Sequence, residues 1–350
     1  MIEMTARPPQ LDFFADNNSP VMAALGLGVD SVAMLIEMVE RGERVDVALF
    51  ADTGSERPQT YQYLPVFKQW LEERGVPLIV VKYQPKNYKN FPPYRTLEEN
   101  CLTNGTLPSK TFGYGSCSQK WKIQPQDQWA DNWEPARRCW AAGGKVIKLI
   151  GYDCSPADQK RYREREGFTD NKYEYRYPLR EWNWKREDCI QRIRNAGLPV
   201  PIKSACFFCP VTKAHELHEL EKPLLRRIVL MEARAKPRLK AVDGLWRTPV
   251  KGCRGATPRP GSMTEYIVDK GLLPEDEVRM IVELAPEHLM SWQASVADID
   301  ISERPEMRRW IEFFDMTSGD LMRTGSTPSL YVGMEVPSAA NEDTPPAAAA

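Results

Sequence analysis

A short glycine-rich segment, Gly26-Leu27-Gly28-Val29-Asp30-Ser31, joins an apolar run to a second run of helical periodicity. Because glycine lacks a side chain, backbone N–H groups at this junction can approach oxygen atoms closely. A helix that begins near Asp30 adds unpaired N–H donors, and Ser31 adds a hydroxyl group. The segment therefore predicts a cradle for an anion such as phosphate. It matches neither GxGxxG nor GxxxxGK[ST], which excludes the two commonest nucleotide-binding loops.

The chain has eight cysteines, and two of them form the pair Cys206-x-x-Cys209, which is a second chemical signal. This spacing can place two sulfur atoms on one metal ion or cluster. Since the sequence shows no secretory signal, metal binding, redox chemistry or simple burial explains the cysteines better than disulfides. His215 and His218 follow closely, so a Cys2His2 zinc site is one candidate.

The elements that must position these groups alternate along the chain. Strands are predicted at 20–26, 45–50, 77–81 and 145–151, and helices at 31–41, 58–74 and 185–196. Short apolar strands that alternate with helices are typical of an α/β protein with a doubly wound parallel sheet. Residues 84–116 are predicted to be loop-rich, and mainly helical segments are predicted from 213 to 241, at 275–285 and at 305–314.

Polar residues follow two further predicted strands. Asp52-Thr53-Gly54 ends one of them and is followed by Glu56, and Gly151 ends another and is followed by Asp158 and Arg161. Open parallel sheets bind ligands at the carboxyl ends of their strands. We therefore expect these groups to meet the glycine-rich segment at one edge of the sheet.

Together these segments resemble the PP-loop ATP pyrophosphatase superfamily, and specifically its phosphoadenylyl-sulfate (PAPS) reductase-like branch. The family loop S-G-G-x-D-S corresponds to residues 26–31, with departures at the first two positions. Residues 52–61 match the family element D-T-G-x-E-x-x-x-T-Y, and Gly151 with 158–161 echoes its G…E-x-x-R element. Segments at 117–125 and 177–182 extend the resemblance, which covers about residues 20–215.

The resemblance implies a Rossmann-type (PP-loop, HUP-like) nucleotide-binding domain at 20–215. We expect a flexible arm at 1–19, a mostly helical, basic extension at 216–335 and a disordered tail at 336–350. The implied ligand is ATP, or alternatively PAPS or adenylyl sulfate, with Mg²⁺ as a further candidate. The implied nucleotide-binding residues are Gly26, Leu27, Gly28, Val29, Asp30, Ser31, Asp52, Thr53, Gly54, Glu56, Gly151 and Asp158. The implied catalytic residues are Asp30, Ser31, Lys120 and Arg161, the two cations offsetting charge on the phosphate chain.

Iron–sulfur members of this branch pair a Cys-Cys dipeptide with a later C-x-x-C to hold a [4Fe–4S] cluster. Here Cys117 occupies the first dipeptide position, but Ser118 occupies the second. The resemblance therefore implies Cys117, Cys206 and Cys209 as ligands, and Cys101 is a candidate for the fourth. Alternatively, three cysteines leave one iron open, and the zinc site remains a competing interpretation.

Three functions are compatible with these residues. The leading expectation is ATP-dependent adenylation and sulfur transfer in DNA or tRNA modification, with a sulfur-donor protein as a candidate partner. The alternative is a PAPS or adenylyl-sulfate reductase that releases sulfite; the family's C-terminal E-C-G-x-H segment is missing, and Cys253 in Lys-Gly-Cys-Arg-Gly would have to replace its nucleophile. The third is a non-catalytic binder of nucleotides or nucleic acid.

The overall net charge of −1 conceals a basic segment at 222–260, which has eleven Lys or Arg residues and two acidic ones. Such a segment is either a nucleic-acid surface, with Trp246 available for stacking, or a solvated helix face. No apolar run reaches about 18 residues, and the N-terminus lacks a signal-peptide pattern. The sequence thus predicts a cytoplasmic protein with no membrane partner.

Overall fold

Five parallel strands form a single sheet. They are β1 (Val21–Leu25), β2 (Val47–Asp52), β3 (Leu78–Lys82), β4 (Val146–Ile150) and β5 (Tyr173–Arg176), and their order across the sheet is β3-β2-β1-β4-β5. The structure is a computed structural model and describes residues 19–86, 92–295, 297–300 and 303–324. Because β1 pairs with both β2 and β4, the strand order reverses beside β1, which is where open sheets bind ligands.

Helices connect the strands and continue after them. They are α1 (Val29–Glu40), α2 (Pro58–Glu72), α3 (Leu97–Asn104), α4 (Ser116–Ser118), α5 (Gln124–Ala130), α6 (Glu134–Ala141), α7 (Pro156–Arg163), α8 (Pro178–Glu181), α9 (Arg186–Asn195), α10 (Lys222–Ala235), α11 (Met263–Asp269), α12 (Glu275–Ser295) and α13 (Met307–Thr324). Four 3₁₀ turns, at Ser109–Phe112, Ala214–Glu219, Lys236–Arg238 and Cys253–Gly255, and one π-helical turn, Gln119–Ile123, complete the described elements.

Helices cover both faces of the sheet. Along β1, Val21, Ala23 and Leu25 face a core shared with α1, α2 and α9, whereas Met22 faces a core shared with α5 and α6. This alternation follows from the two-residue period of a strand. All six residues of β2 are buried, as expected for a central parallel strand. The predicted α/β fold with a parallel sheet and a helical C-terminal part is confirmed.

The C-terminal helices share one core with the cysteine segment. Side chains of α10, α11, α12 and α13 pack in a single apolar cluster with α3, Trp121 and Phe207-Phe208. The helical extension therefore supports the segment that carries Cys206 and Cys209.

Several elements differ from the sequence-based expectation. The segment predicted as loop-rich contains α3, which a capping box between Thr96 and Glu99 starts. Strand β5 lies in a span predicted to be irregular, and α12 and α13 run further than predicted. The predicted arm at 1–19, apart from Ser19, and the tail at 336–350 lie outside the described residues. Within the described ranges, no helix has the length and apolarity needed to cross a membrane.

Candidate functional site

The glycine-rich loop is a tight turn between β1 and α1. Leu27 has φ +58°, a left-handed conformation that costs a non-glycine residue about 1–2 kcal/mol, and its side chain is buried in the core. The Ser31 hydroxyl accepts from the Gly26 N–H at 3.2 Å and donates to the Gly28 carbonyl at 3.2 Å. Val29 begins α1 and is buried. The turn is therefore held in one shape by its own residues.

Gly151, at the end of β4, touches the first turn of α1. A Cβ atom on Gly151 would lie 2.9 Å from the Ser31 Cα and 3.0 Å from its backbone nitrogen. Only glycine permits this approach without moving backbone atoms. The contact brings the residues that follow β4 to the loop, as the sequence predicted.

An acidic group lies beside the loop. Asp30 Oδ2 accepts from Arg186 at 2.7 Å, whereas its buried Oδ1 has no hydrogen-bond partner. Burial raises the pKa of Asp30, Arg186 opposes the shift, and the neighbouring Asp153 and Asp158 add to it. Asp158 Oδ1 accepts from Arg161 at 3.0 Å, which leaves the Arg161 side chain 61% exposed. The structure therefore clusters three carboxylates near the predicted phosphate cradle.

The turn after β2 is organised by Asp52. Its Oδ1 accepts from the Tyr61 hydroxyl and from the Gly54 N–H, both at 2.7 Å, and its Oδ2 lies 3.1 Å from Lys82 Nζ. Gly54 has φ +67°, and a Cβ there would collide with Thr96 at 2.3 Å. The turn therefore seats α3 closely against this edge of the sheet.

The same turn pairs with the segment that carries Cys206. Glu56 and Cys206 form an antiparallel bridge, and the Phe207 N–H donates to the Ser55 carbonyl at 3.1 Å. Ser204 continues over the glycine-rich loop, so that a Cβ on Gly28 would lie 3.6 Å from the Ser204 Cβ. Three motifs that lie far apart in the sequence meet at this junction.

The four predicted cluster ligands converge beside the junction. Cys101 and Cys206 belong to one apolar cluster, and Cys117 and Cys209 pack against it. Burial raises the pKa of Cys101, and the neighbouring Cys117 raises it further. Burial likewise raises the pKa of Cys206, and Cys209 adds to that shift. Burial also raises the pKa of Cys209, to which Cys117 contributes. Burial therefore favours the protonated thiol at Cys101, Cys206 and Cys209.

Lysines two residues apart have different surroundings. Lys120, predicted to be catalytic, lies over the ring of Tyr83 at 4.8 Å and near the rings of Tyr94 and Trp121. Lys122, which the sequence analysis did not single out, pairs with Glu56 Oε1 at 2.8 Å. Both lysines lie in the π-helical turn from Gln119 to Ile123, which determines where their side chains point. No sequence pattern predicts such a turn.

Lys122 belongs to a buried polar chain that ends at a cysteine. Glu56 Oε1 also accepts from the Thr53 hydroxyl at 3.2 Å, and that hydroxyl lies 3.4 Å from the Cys206 sulfur. Burial lowers the pKa of Lys122, but Glu56 together with Cys206 and Cys209 outweighs this effect, so the pKa is raised. Lys122 therefore stays a cation between the sheet edge and the cysteines.

The zinc alternative loses a ligand in this arrangement. His218 Nε2 lies 3.2 Å from the Tyr266 hydroxyl, and the two rings meet edge to face. Over the part of the chain that the structure describes, no three or more His, Cys, Asp or Glu side chains form a group that could hold a metal ion. The same result covers the predicted cluster ligands Cys101, Cys117, Cys206 and Cys209, so a cluster at this cysteine group stays a prediction.

Part of the positive charge at 222–260 is paired inside the fold. Arg226 pairs with the buried Glu277, and Arg227 pairs with Glu98 and Asp315. Trp246 is buried and donates to the Thr212 carbonyl at 2.8 Å, so its face does not offer the predicted stacking surface. Cations that remain exposed in this segment are Lys222, Lys236, Arg238, Lys240, Arg247 and Lys251. Cys253 is exposed on a turn between the bridged residues Val250 and Arg259.

Comparison of the sequence with protein-family models found no matching family, and comparison with curated proteins found no matching protein.

Proposed function

We propose that this chain is a PP-loop enzyme of the PAPS reductase-like branch that binds ATP and activates an acceptor oxygen in a nucleic acid for sulfur transfer. The observation that carries the proposal is the junction of three motifs: Ser204 lies over Gly28, and Glu56 is bridged to Cys206. A nucleotide cradle and a cysteine group in contact are what coupled nucleotide and sulfur chemistry requires.

The nucleotide's phosphates would lie on the glycine-rich loop. The first turn of α1 offers unpaired N–H donors there, and α1 is twelve residues long, so its dipole favours an anion. The unpartnered Asp30 Oδ1 fits a Mg²⁺ ion that the phosphates also ligate, because Mg²⁺ prefers one or two carboxylates with substrate oxygens. Arg161, exposed and tethered by Asp158, would stabilise charge on the leaving pyrophosphate.

The proposed reaction has two displacements. The acceptor oxygen attacks the α-phosphorus of ATP, the bond from that phosphorus to the β-bridging oxygen breaks, and pyrophosphate leaves with the bonding electrons. A sulfur nucleophile from a donor protein then attacks the adenylated position, the bond to the activated oxygen breaks, and AMP leaves. No net oxidation or reduction is required when the sulfur arrives at the sulfide level.

The cysteine group fits an iron–sulfur cluster by its donor chemistry. Four thiols from three segments share an apolar environment, and Lys120 and Lys122 lower the pKa of Cys101 and Cys206 against the effect of burial. A bound [4Fe–4S] cluster would supply a thiophilic, redox-active centre next to the nucleotide. The residues that would hold it are Cys117, Cys206 and Cys209, with Cys101 as the fourth.

The test begins with the protein purified without oxygen. Iron, sulfide and zinc are assayed in the wild type and in Cys206→Ala, and ATP turnover is followed as AMP and pyrophosphate. About four irons with four sulfides, lost in Cys206→Ala, support the cluster; one zinc without iron overturns it. On ATP binding the Ser31 hydroxyl would turn from the Gly28 carbonyl to a phosphate oxygen. Ser31→Ala should then weaken ATP binding roughly 10- to 100-fold, the effect of one hydrogen bond to a charged group, whereas the exposed Ser116→Ala should not.

The products separate the candidate functions. AMP and pyrophosphate support the proposal, whereas ADP and phosphate, or no ATP binding, overturn it. Sulfite released from PAPS or adenylyl sulfate, and abolished in Cys253→Ser, would replace it with the reductase.

A further inference from the structure

A cleft of about 360 Å³ opens at the carboxyl edge of the sheet. Its floor is formed by the ends of β1 and β4, from Ala24 to Gly26 and at Ile150, and Gln119 with Lys122 forms one wall. Tyrosines that follow β4 and β5 form the opposite wall. This volume lies within the range of sites for small organic ligands.

The tyrosine wall is built for a flat ring. Tyr152 and Tyr177 are stacked, with ring centroids 5.7 Å apart and an interplanar angle of 26°. Tyr162 meets Tyr177 edge to face at 5.1 Å, which fixes the orientation of that ring. At the mouth, Phe168 is 54% exposed and contacts Tyr175. Exposed aromatic rings beside a cleft offer faces on which another aromatic ring can stack.

The floor of the cleft is polar and charged. Lys148 is buried, its Nζ lies 2.9 Å from Asp127 Oδ1, and the amides of Gln119 and Gln126 also line the cleft. Donors and acceptors at the end of a stacking slot are what the edge of a purine or pyrimidine requires.

The resemblance implies that Asp52, Thr53 and Gly54 lie beside the adenosine of a bound nucleotide, and the cleft is a different place. It touches the glycine-rich loop at Gly26, but none of Asp52, Thr53 and Gly54 lines it. A nucleotide with its phosphates on the loop and its adenosine toward Asp52 would leave the cleft to a second ligand. That ligand would reach the loop from the opposite side, where an acceptor must approach the α-phosphorus.

A basic strip lies next to the tyrosine wall. The last turn of α7 carries Lys160 and Arg163, whose side chains are exposed, and Tyr162 of the same helix is the ring that supports Tyr177. Closely spaced exposed cations beside aromatic rings are the combination that binds single-stranded nucleic acid, through its phosphates and its bases.

We propose that the tyrosine-walled cleft binds one unpaired nucleobase of the acceptor nucleic acid, with the α7 strip holding the adjoining phosphates. This inference rests on the proposed function and deepens it, because it makes a base, rather than the sugar–phosphate backbone, the part that enters the site. It predicts a preference for single-stranded or extruded bases, since a paired base cannot enter a cleft between two walls.

The test measures oligonucleotide and ATP binding in parallel with the full chain. Fluorescence anisotropy follows labelled single strands of DNA and RNA with one sequence, and the same strands in which all bases are removed. Phe168→Ala, at an exposed position that tolerates truncation, and Tyr152→Leu should each weaken binding of the strands with bases about 5- to 150-fold, the range for one stacked base. Tyr114→Ala, at an exposed tyrosine that does not line the cleft, is the matched control.

The outcomes distinguish this inference from the proposed function. The inference is overturned, and the proposed ATP turnover is not, if the variants bind the strands with bases as tightly as the wild type does. It is also overturned if the wild type binds the baseless strands as tightly as the strands with bases. Weaker ATP binding in Phe168→Ala and Tyr152→Leu also overturns it, because the cleft then holds the base of ATP. Loss of base-dependent binding in the two variants with ATP binding unchanged supports it. Base-dependent binding in a wild type that does not bind ATP overturns the proposed function alone.

Discussion

The pair between Lys122 and Glu56 should be a main support of the candidate site. The Glu56 carboxylate is fully buried, and its Oε1 lies 2.8 Å from Lys122 Nζ. Replacement of Lys122 by Met keeps most of the side-chain volume and removes the positive charge. The carboxylate is then left buried without its cation.

The size of the effect follows from this burial. Removal of one partner of a buried ion pair costs about 3–5 kcal/mol, because the remaining charge stays desolvated. Glu56 keeps the hydroxyl donors Thr53 and Ser204, and the Lys122 side chain is 33% exposed. We therefore expect Lys122→Met to lower the free energy of unfolding by about 3 kcal/mol, the lower end of that range.

Urea unfolding of a double-mutant cycle measures the pair itself. The double variant Lys122→Met with Glu56→Gln should be more stable than the sum of the single effects by about 2 kcal/mol, because no unpaired charge remains. Lys120→Met is the matched control, since it removes a cation held only over aromatic rings and should cost about 1 kcal/mol. Additive single effects, or a Lys122→Met variant as stable as the control, would refute the reasoning.

Three further predictions concern other parts of the chain. Gly151→Ala should destabilise the fold and weaken nucleotide binding, because its Cβ would lie 2.9 Å from the Ser31 Cα; thermal melting and isothermal titration check this, with Gly115→Ala, which has open space, as the control. Burial raises the pKa of Glu98 to about 7 from an ordinary value near 4.5, so the folded state holds this proton longer than the unfolded state and stability falls as pH rises from about 4.5 to 7. Glu98→Gln should flatten urea-unfolding stability over that window by up to about 3 kcal/mol, and an unchanged slope would contradict the shift. Arg226→Gln should lower the melting temperature whether or not nucleic acid is present, since its partner is a buried carboxylate, and a loss of oligonucleotide binding with unchanged stability would contradict this.

The sequence alone determined the class of fold and the order of its main elements. Apolar strands with Val, Ile and Ala, each followed by a helical pattern, predict a parallel sheet. The two-residue period of a strand and the 3.6-residue period of a helix are properties of the backbone, so this prediction does not depend on tertiary contacts. The glycine-rich segment was also readable, since a strand that ends in glycines before a helix leaves N–H groups at a known place. Thus the position of the glycine-rich turn between β1 and α1 follows from local rules, and an anion site at 26–31 stays a prediction.

Local rules failed where an element depends on its neighbours. Strand β5 alternates tyrosine with Glu174 and Arg176, which is a strand pattern, but it has only four residues within a Tyr- and Arg-rich span and pairs with β4 alone. Helix α3 had a readable capping box at Thr96, but it lay within a long polar stretch that favoured a loop.

Only the tertiary structure decided which charged groups act together. Lys120 and Lys122 are equivalent in the sequence, and one π-helical turn sends one to aromatic rings and the other to Glu56. Likewise, the pattern of 222–260 predicts a basic surface, but two of its arginines, Arg226 and Arg227, pair with acids from helices far along the chain. The tyrosine-walled cleft is of the same kind, since rings from three segments meet there. Burial and pairing depend on contacts between distant residues, and these are set only when the chain has folded.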